Sequence, residues 1–222
     1  SERIAIILAA GVSSRMNTKL PKVLHEVCGR PMLAYVLDAC RSAGVEKIYI
    51  VIGYGKDQVI EAFKDEANIG WVEQTERKGT GHAVLCCKDM VGDFDGSTLI
   101  LCGDGPLIRA QPLHTFLKKH ESEKATATLA TAILDDPAGY GRIFRDAYGN
   151  MQGIVEHSDC TPDQLAIKEV NPSYYCFNNK VLFETLEKIK PDNVKNEYYL
   201  TDALHLIIAQ GLKVVAVTAV PA

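Results

Sequence analysis

Apolar runs without polar alternation, separated by stretches of helical spacing, set the rhythm of the first hundred residues. "RIAIILAAG" (residues 3–11) reads as a strand, and "PMLAYVLDACRSAG" places its apolar positions at helical spacing up to Gly44. "KIYIVIGYG" is a second strand, "KDQVIEAFKDEA" a helix, "IGWVEQ" a short strand, "GTGHAVLCCKDMV" a helix and "STLILCGD" a strand. A strand that is apolar throughout is buried on both faces. This β-α-β-α order therefore predicts a mainly parallel sheet between helices, with ligands beyond the carboxyl ends of the strands. From about residue 135 the pattern changes: "GRIFRDAYGNMQGIVEHS" predicts a hairpin turning at Tyr148-Gly149-Asn150, and "IKEVNPSYYCFN" one further strand. Helices over "KVLFETLEKIK" and "EYYLTDALHLIIAQG" and a last strand over "KVVAVTAV" complete one domain with a second lobe on the same sheet.

Composition narrows the function. At 222 residues and 47% hydrophobic content the chain fills a core, and a formal net charge of −4 supplies no global basic field. Nucleic acid and acidic membrane surfaces are thereby poor candidates for a partner recognised by charge, and any anion site must be local. The seven cysteines include no C-x-x-C pair and two neighbours, Cys86 and Cys87, which suits neither a disulfide framework nor a zinc site. They predict buried thiols in a reducing cytoplasm. Ser1-Glu2 lead straight into the first strand, so no signal peptide is expected, and no apolar run approaches the roughly 18 residues of a membrane span.

Three stretches carry candidate chemistry. "LAAGVSSRM" ends a strand on small residues, which opens backbone N–H groups to a ligand, and Arg15 and Lys22 bring cations to any phosphate held there. Neither G-x-G-x-x-G nor a G-K-[ST] loop is present, which removes the main support for dinucleotide oxidoreductases and P-loop NTPases. "LILCGDGPLI" ends a strand on Gly103-Asp104, and a carboxylate there can hold Mg²⁺ together with substrate phosphates; taken alone, Asp104 also reads as a turn or cap residue. In "EQTERKGTGHAV", Thr80 is placed to cap the helix that follows, with Gly79 and Gly81 opening the backbone. Gln74 offers a donor and an acceptor that fit the edge of uracil or thymine, although a rotated amide also satisfies cytosine. His82 has no evident partner and reads as a helix-start residue.

In order and spacing "LAAGVSSRM…LPKVLHEVCGRPM", "QTERKGTGHAV", "LCGDGPLI", "LDDPAGYGRIFRD", "GIVEHSD", "EVNPSYYCF" and "NEYYLTD" resemble the nucleotidyltransferase half of the bacterial bifunctional N-acetylglucosamine-1-phosphate uridylyltransferases. The resemblance runs from Arg3 to Val217. It implies an α/β, Rossmann-like three-layer nucleotide-diphospho-sugar transferase fold with a mostly parallel mixed sheet and a β-hairpin sugar-binding lobe. It also implies formation of UDP-N-acetylglucosamine and pyrophosphate from UTP and N-acetylglucosamine 1-phosphate, for cell-envelope synthesis. Leu8, Ala9, Ala10 and Gly11 would lie against the uridine and its phosphates, and Arg15 and Lys22 would neutralise charge at the reacting phosphorus. Gln74, Gly79 and Thr80 would read uracil, Asp104 beside Gly103 would hold Mg²⁺, and Gly141, Glu156, Asn171 and Thr201 would grip the sugar.

Departures from the family pattern are visible. Val12-Ser13 stand where a residue followed by glycine is usual, and Cys102 where an aromatic side chain is common. The chain ends at Ala222, ahead of the family's later segment with an asparagine metal ligand and of its hexapeptide-repeat acetyltransferase β-helix. The expectation is a nucleotidyltransferase unit over residues 1–222, with no basis for acetyl transfer or a trimer. Two alternatives stay open at this level: a pyrophosphorylase for another sugar or nucleotide, and a sugar-nucleotide binding module without turnover.

Overall fold

The computed structural model describes residues 2–11, 19–45, 47–104 and 109–218. Elements run in chain order: β1 (Arg3–Leu8), a 3-10 turn (Lys22–Leu24), β2 (Glu26–Val27), β3 (Arg30–Pro31), α1 (Met32–Ser42), β4 (Lys47–Ile52), α2 (Lys56–Ala62) and β5 (Ile69–Glu73). Next come α3 (Thr80–Leu85), α4 (Lys88–Val91), β6 (Ser97–Cys102), α5 (Ala110–Ser122) and β7 (Ala127–Ile133). The second lobe and the return contain β8 (Gly141–Arg145), β9 (Met151–Val155), a 3-10 turn (His157–Asp159), α6 (Pro162–Leu165), β10 (Glu169–Asn171), β11 (Tyr175–Asn178), α7 (Asn179–Leu186), α8 (Leu200–Ala209) and β12 (Val214–Thr218).

The apolar strands of the first half are buried on both faces, as their lack of alternation predicts. Along β1, Ala5 and Ile7 pack with Leu33, Val36 and Leu37 of α1 and with Phe116 of α5. Ile4 and Ile6 point the other way, toward Val84 of α3, Leu182 and Phe183 of α7 and Leu204 of α8. Two apolar layers thus hold helices on both sides of one sheet, the three-layer α/β arrangement. Strand order is β5-β4-β1-β6-β11-β7-β10-β8-β9, with β12 beside β7. β5, β4, β1 and β6 are mutually parallel, whereas β11 runs antiparallel to both β6 and β7.

Three expectations are corrected by the chain path. The helix expected over residues 79–91 is two helices, because the Cys87 N–H bonds back three residues to Val84 O and the tightened turn sends Cys87 and Val91 into the core. The single strand expected over residues 167–178 is β10 and β11. Pro172 has no N–H to give, and Ser173, at φ +68°, donates its N–H to Asn171 Oδ1 at 2.9 Å, which steps the chain from one stretch of β7 to the next. The helix that begins at Lys56 ends at Ala62, short of the expected residue 67. α5 and β7 fill a stretch the pattern left unassigned. The hairpin forms as expected, with Gly149 at φ +83° and Asp146 accepting from the N–H groups of Tyr148 and Asn150.

Candidate active site

Parallel register aligns the strand ends that matter. Leu8 pairs with Cys102 and Ile52 with Glu73, so Ala9-Ala10-Gly11, Gly103-Asp104 and Gln74 leave the sheet side by side. Backbone bonds continue past the strands: Ala9 N donates to Val51 O at 2.8 Å, Gly103 N to Leu8 O at 2.9 Å and Gln74 N to Ile52 O at 2.8 Å. Small residues are required here. A Cβ on Gly103 would stand 3.0 Å from Val23 Cγ1 and 3.4 Å from the Cβ of Ala9. Above this edge lies a cleft of about 480 Å³, and Leu8, Ala9, Ala10, Gly11, Lys22, Gln74, Gly79, Thr80 and Asp104, nine positions singled out from sequence, all line it. Gly103 is buried against Val23, Ile7 and Ala9 and is not part of that lining. Arg15 lies outside the described residues.

Lys22 and Asp104 meet in this cleft, Nζ to carboxylate oxygen 2.6 Å, both partly open to solvent. The lysine is held by a 3-10 turn whose next two residues, Val23 and Leu24, are buried in the core beneath α1. Gln74 is buried, and its Nε2 donates to Gly79 O at 3.2 Å and to His82 Nδ1 at 2.9 Å. Cys102 lines the same cleft with its thiol pushed up to about 12 by burial, so it is a neutral wall rather than a nucleophile.

Thr80 does not cap its own helix. Gly79, at φ +104°, occupies the cap position of α3, and Thr80 Oγ1 instead accepts the N–H of Leu200, the first residue of α8, at 3.0 Å. Gly81 N donates to Tyr198 O at 2.8 Å alongside. These bonds join the cleft wall to α8. Thr80→Val keeps the shape and strips the acceptor from an otherwise orphaned helix N–H; it should lower stability by about 1 kcal/mol. A thermal melt should register this as a fall of roughly 2–4 °C.

The remaining four positions form a second cluster outside that lining. Thr201, on α8, donates to Glu156 Oε1 at 3.2 Å; a Cβ on Gly141 would lie 3.5 Å from Glu156 Oε2; and Asn171 pairs with Gly141 across β8 and β10. Asn171 is buried, with Oδ1 taken by Ser173 N and Nδ2 donating to the Tyr175 hydroxyl. Burial pushes the Glu156 carboxyl above the ordinary range, against the Thr201 bond and the field of Lys195, which lower it. The native state therefore holds this proton more tightly than the unfolded chain does, and stability is lost as pH rises from the usual glutamate range through the folded pKa. Glu156→Gln removes that loss: melts should show a gain on the order of 1 kcal/mol at neutral pH, vanishing in acid.

Sequence reasoning missed Arg77 and Glu197, which also line the cleft. Arg77 carried one usable signal, a cation in the short loop between Gln74 and Gly79. Glu197 carried none, since it reaches the cleft only through the packing of α8 on α3. Among the described residues no group of three or more His, Cys, Asp or Glu side chains can hold a metal ion, so a cation held at Asp104 needs further oxygens from a ligand. Such a donor set fits a metal that arrives on phosphates. Among the described residues no helix is long and apolar enough to cross a membrane.

Comparison with known proteins agrees with this geometry. The chain is 45% identical over 210 residues to the bifunctional protein GlmU of Geobacillus sp. (strain WCH70), covering 95% of this chain and 45% of that protein. It is 47% identical over 212 residues to that of Pelotomaculum thermopropionicum, with 96% and 46% covered, so it spans just under half the length of these relatives. Among solved structures, a UDP-glucose pyrophosphorylase complexed with UDP-glucose superposes with a TM-score of 0.80 at 19% identity, over 98% of this chain and 90% of that one, which shows a shared fold. A model of nucleotidyl transferases matches residues 4–220, nearly the whole sequence, and the chain belongs to that family.

Proposed function

We propose that the protein is a uridylyltransferase that joins UTP to N-acetylglucosamine 1-phosphate, giving UDP-N-acetylglucosamine and pyrophosphate. The observation that carries this reading is the Lys22–Asp104 pair, 2.6 Å apart, in a cleft built on the backbone ends of β1 and β6. The names of the two relatives support it. The phosphate oxygen of the sugar 1-phosphate attacks the α-phosphorus of UTP, a new P–O bond forms, and the bond to the departing pyrophosphate breaks. Two polyanions must be brought together, so positioning and charge neutralisation carry the catalysis, and an already ionised attacking phosphate needs no general base.

Each residue then has a task. The Leu8–Gly11 backbone lies along the nucleotide, Lys22 and Arg15 offset phosphate charge, and Gln74 with Gly79 and Thr80 faces the uracil. Asp104 holds the divalent cation, Mg²⁺ in this reading, which supplies charge neutralisation on the phosphate oxygens. Gly141, Glu156, Asn171 and Thr201 take the sugar through its hydroxyl and acetamido groups. Residues 1–222 act as the nucleotidyltransferase unit, and seven free cysteines suit a cytoplasmic setting. The test is a pyrophosphate-release assay that should require UTP, the sugar phosphate and Mg²⁺ together. CTP, GTP and dTTP compete poorly if the reading is right. Release with another sugar phosphate at equal efficiency, or ligand binding with no turnover at saturating Mg²⁺, would overturn it.

A further inference from the structure

Gln74 leaves its own selectivity undecided: an amide presents an acceptor or a donor according to which way it is turned, and turned one way it suits uracil, the other way cytosine. Two contacts decide the orientation. Nε2 donates to the carbonyl of Gly79 and to Nδ1 of His82, at 3.2 Å and 2.9 Å, which uses both amide protons. Oε1 accepts no bond among the described residues, and Gln74 lines the cleft, so this oxygen is what the side chain has left to offer a base. Turning the amide over would set Oε1 against the Gly79 carbonyl and, with Nδ1 of His82 unprotonated, against a second acceptor.

We propose that His82 is a positioning residue for base selection: its unprotonated Nδ1 takes one Gln74 amide proton and thereby fixes Oε1 as the acceptor for a pyrimidine that carries a proton on N3. The inference rests on the uridylyltransferase reading and deepens it. Uracil donates from N3. Cytosine has a lone pair at that atom and would face Oε1 acceptor to acceptor, with a buried polar group left unpaired.

The surroundings keep His82 in the form this needs. Burial lowers its pKa first, and Lys78 lowers it further against the opposing field of Glu76. Other groups around the ring carry little net charge. Lys78 is paired with Glu76 at 2.5 Å, Glu187 of the α7 end with Lys88, Cys86 one turn along α3 is raised by burial and stays neutral, and the Tyr198 side chain lines the same small pocket. Imidazole is therefore neutral at pH 7 and accepts at Nδ1, with the proton on Nε2. When the pH falls below the range of an ordinary histidine, Nδ1 gains a proton, the amide loses one reason to stay as it is, and discrimination against cytosine weakens.

The experiment measures kcat/KM for UTP against CTP, and UDP against CDP binding at equilibrium, from about pH 8 to about pH 5. Wild type, His82→Leu and His82→Asn are compared; the asparagine oxygen restores an acceptor near Nδ1 and does not titrate. Expected are a wild-type preference for uridine that declines in acid, a loss of preference of at least about tenfold in His82→Leu, and a preference retained and flat with pH in His82→Asn. In the wild type, ¹⁵N NMR should show His82 with Nδ1 bare and Nε2 protonated, a readout that does not depend on either variant folding. A bare Nε2 with a protonated Nδ1 overturns the proposal, as does a His82→Leu enzyme as selective as wild type. A wild type with no preference for UTP at neutral pH would instead sink the uridine assignment itself.

Discussion

Asp104→Asn is expected to lower the rate of pyrophosphate release by about a thousandfold at saturating UTP and Mg²⁺, while the melting temperature moves by no more than about 2 °C. The two readouts separate because the charge does different work in each. In the free protein the carboxylate faces Lys22 at 2.6 Å with both side chains partly solvated, and an exposed pair of this kind contributes roughly 0–1 kcal/mol to folding. In the proposed reaction the same carboxylate would hold the metal carried by the triphosphate. Asparagine keeps shape and size and loses the charge. Lys22→Met should also slow release by about a hundredfold, and the double variant should be well short of the product of the two losses if, as proposed, the residues act on one phosphate cluster. A variant that melts early yet turns over normally would place Asp104 in the scaffold and outside the chemistry, and additive losses would mean that the two residues act independently.

What the sequence discloses about this molecule follows the range of the forces involved. β1 is legible because a strand buried on both faces must be apolar at every position, and Ala5 and Ile7 facing α1 while Ile4 and Ile6 face α7 is what "RIAIIL" requires. Gln74 and Asp104 are legible for a related reason: they are polar residues directly past such strands, and parallel register brings those ends together. The break at Cys86-Cys87 is not legible, since both residues are apolar at helical spacing and only the core beneath α3 decides where the turn tightens. Neither is the Thr201–Glu156 bond, which joins residues 45 positions apart once α8 has packed beside β9. Those two residues entered as sugar ligands through family resemblance, not through spacing. His82 reads as a bland helix-start residue for the same reason: its partner Gln74 lies in another element, and the bond exists only after β5 and α3 are set side by side.

Gly79→Ala should be the most damaging small substitution in the cleft wall, lowering stability by about 2–5 kcal/mol and raising KM for UTP at least tenfold. Gly79 sits at φ +104° and ψ 177°, a region open in practice to glycine alone. An added Cβ would come within 2.5 Å of Tyr198 O and 2.9 Å of Tyr198 N, backbone atoms that cannot swing aside as a side chain would. Both are already engaged, Tyr198 N donating to Lys78 O at 2.7 Å and Tyr198 O accepting from Gly81 N. Relieving the clash therefore separates the 78–81 loop from the start of α8, and it moves the Gly79 carbonyl that receives the Gln74 amide. Gly11→Ala is the contrasting case. Among the described residues a Cβ there meets nothing within 4 Å, so the free protein should melt as wild type does, yet the residue lines the cleft. If a nucleotide rests on that backbone, Gly11→Ala weakens UTP binding with no change in stability, whereas Gly79→Ala loses both. Thermal melts paired with nucleotide titrations read the difference, and a Gly11→Ala protein that binds UTP normally would mean that the ligand does not approach the β1 end.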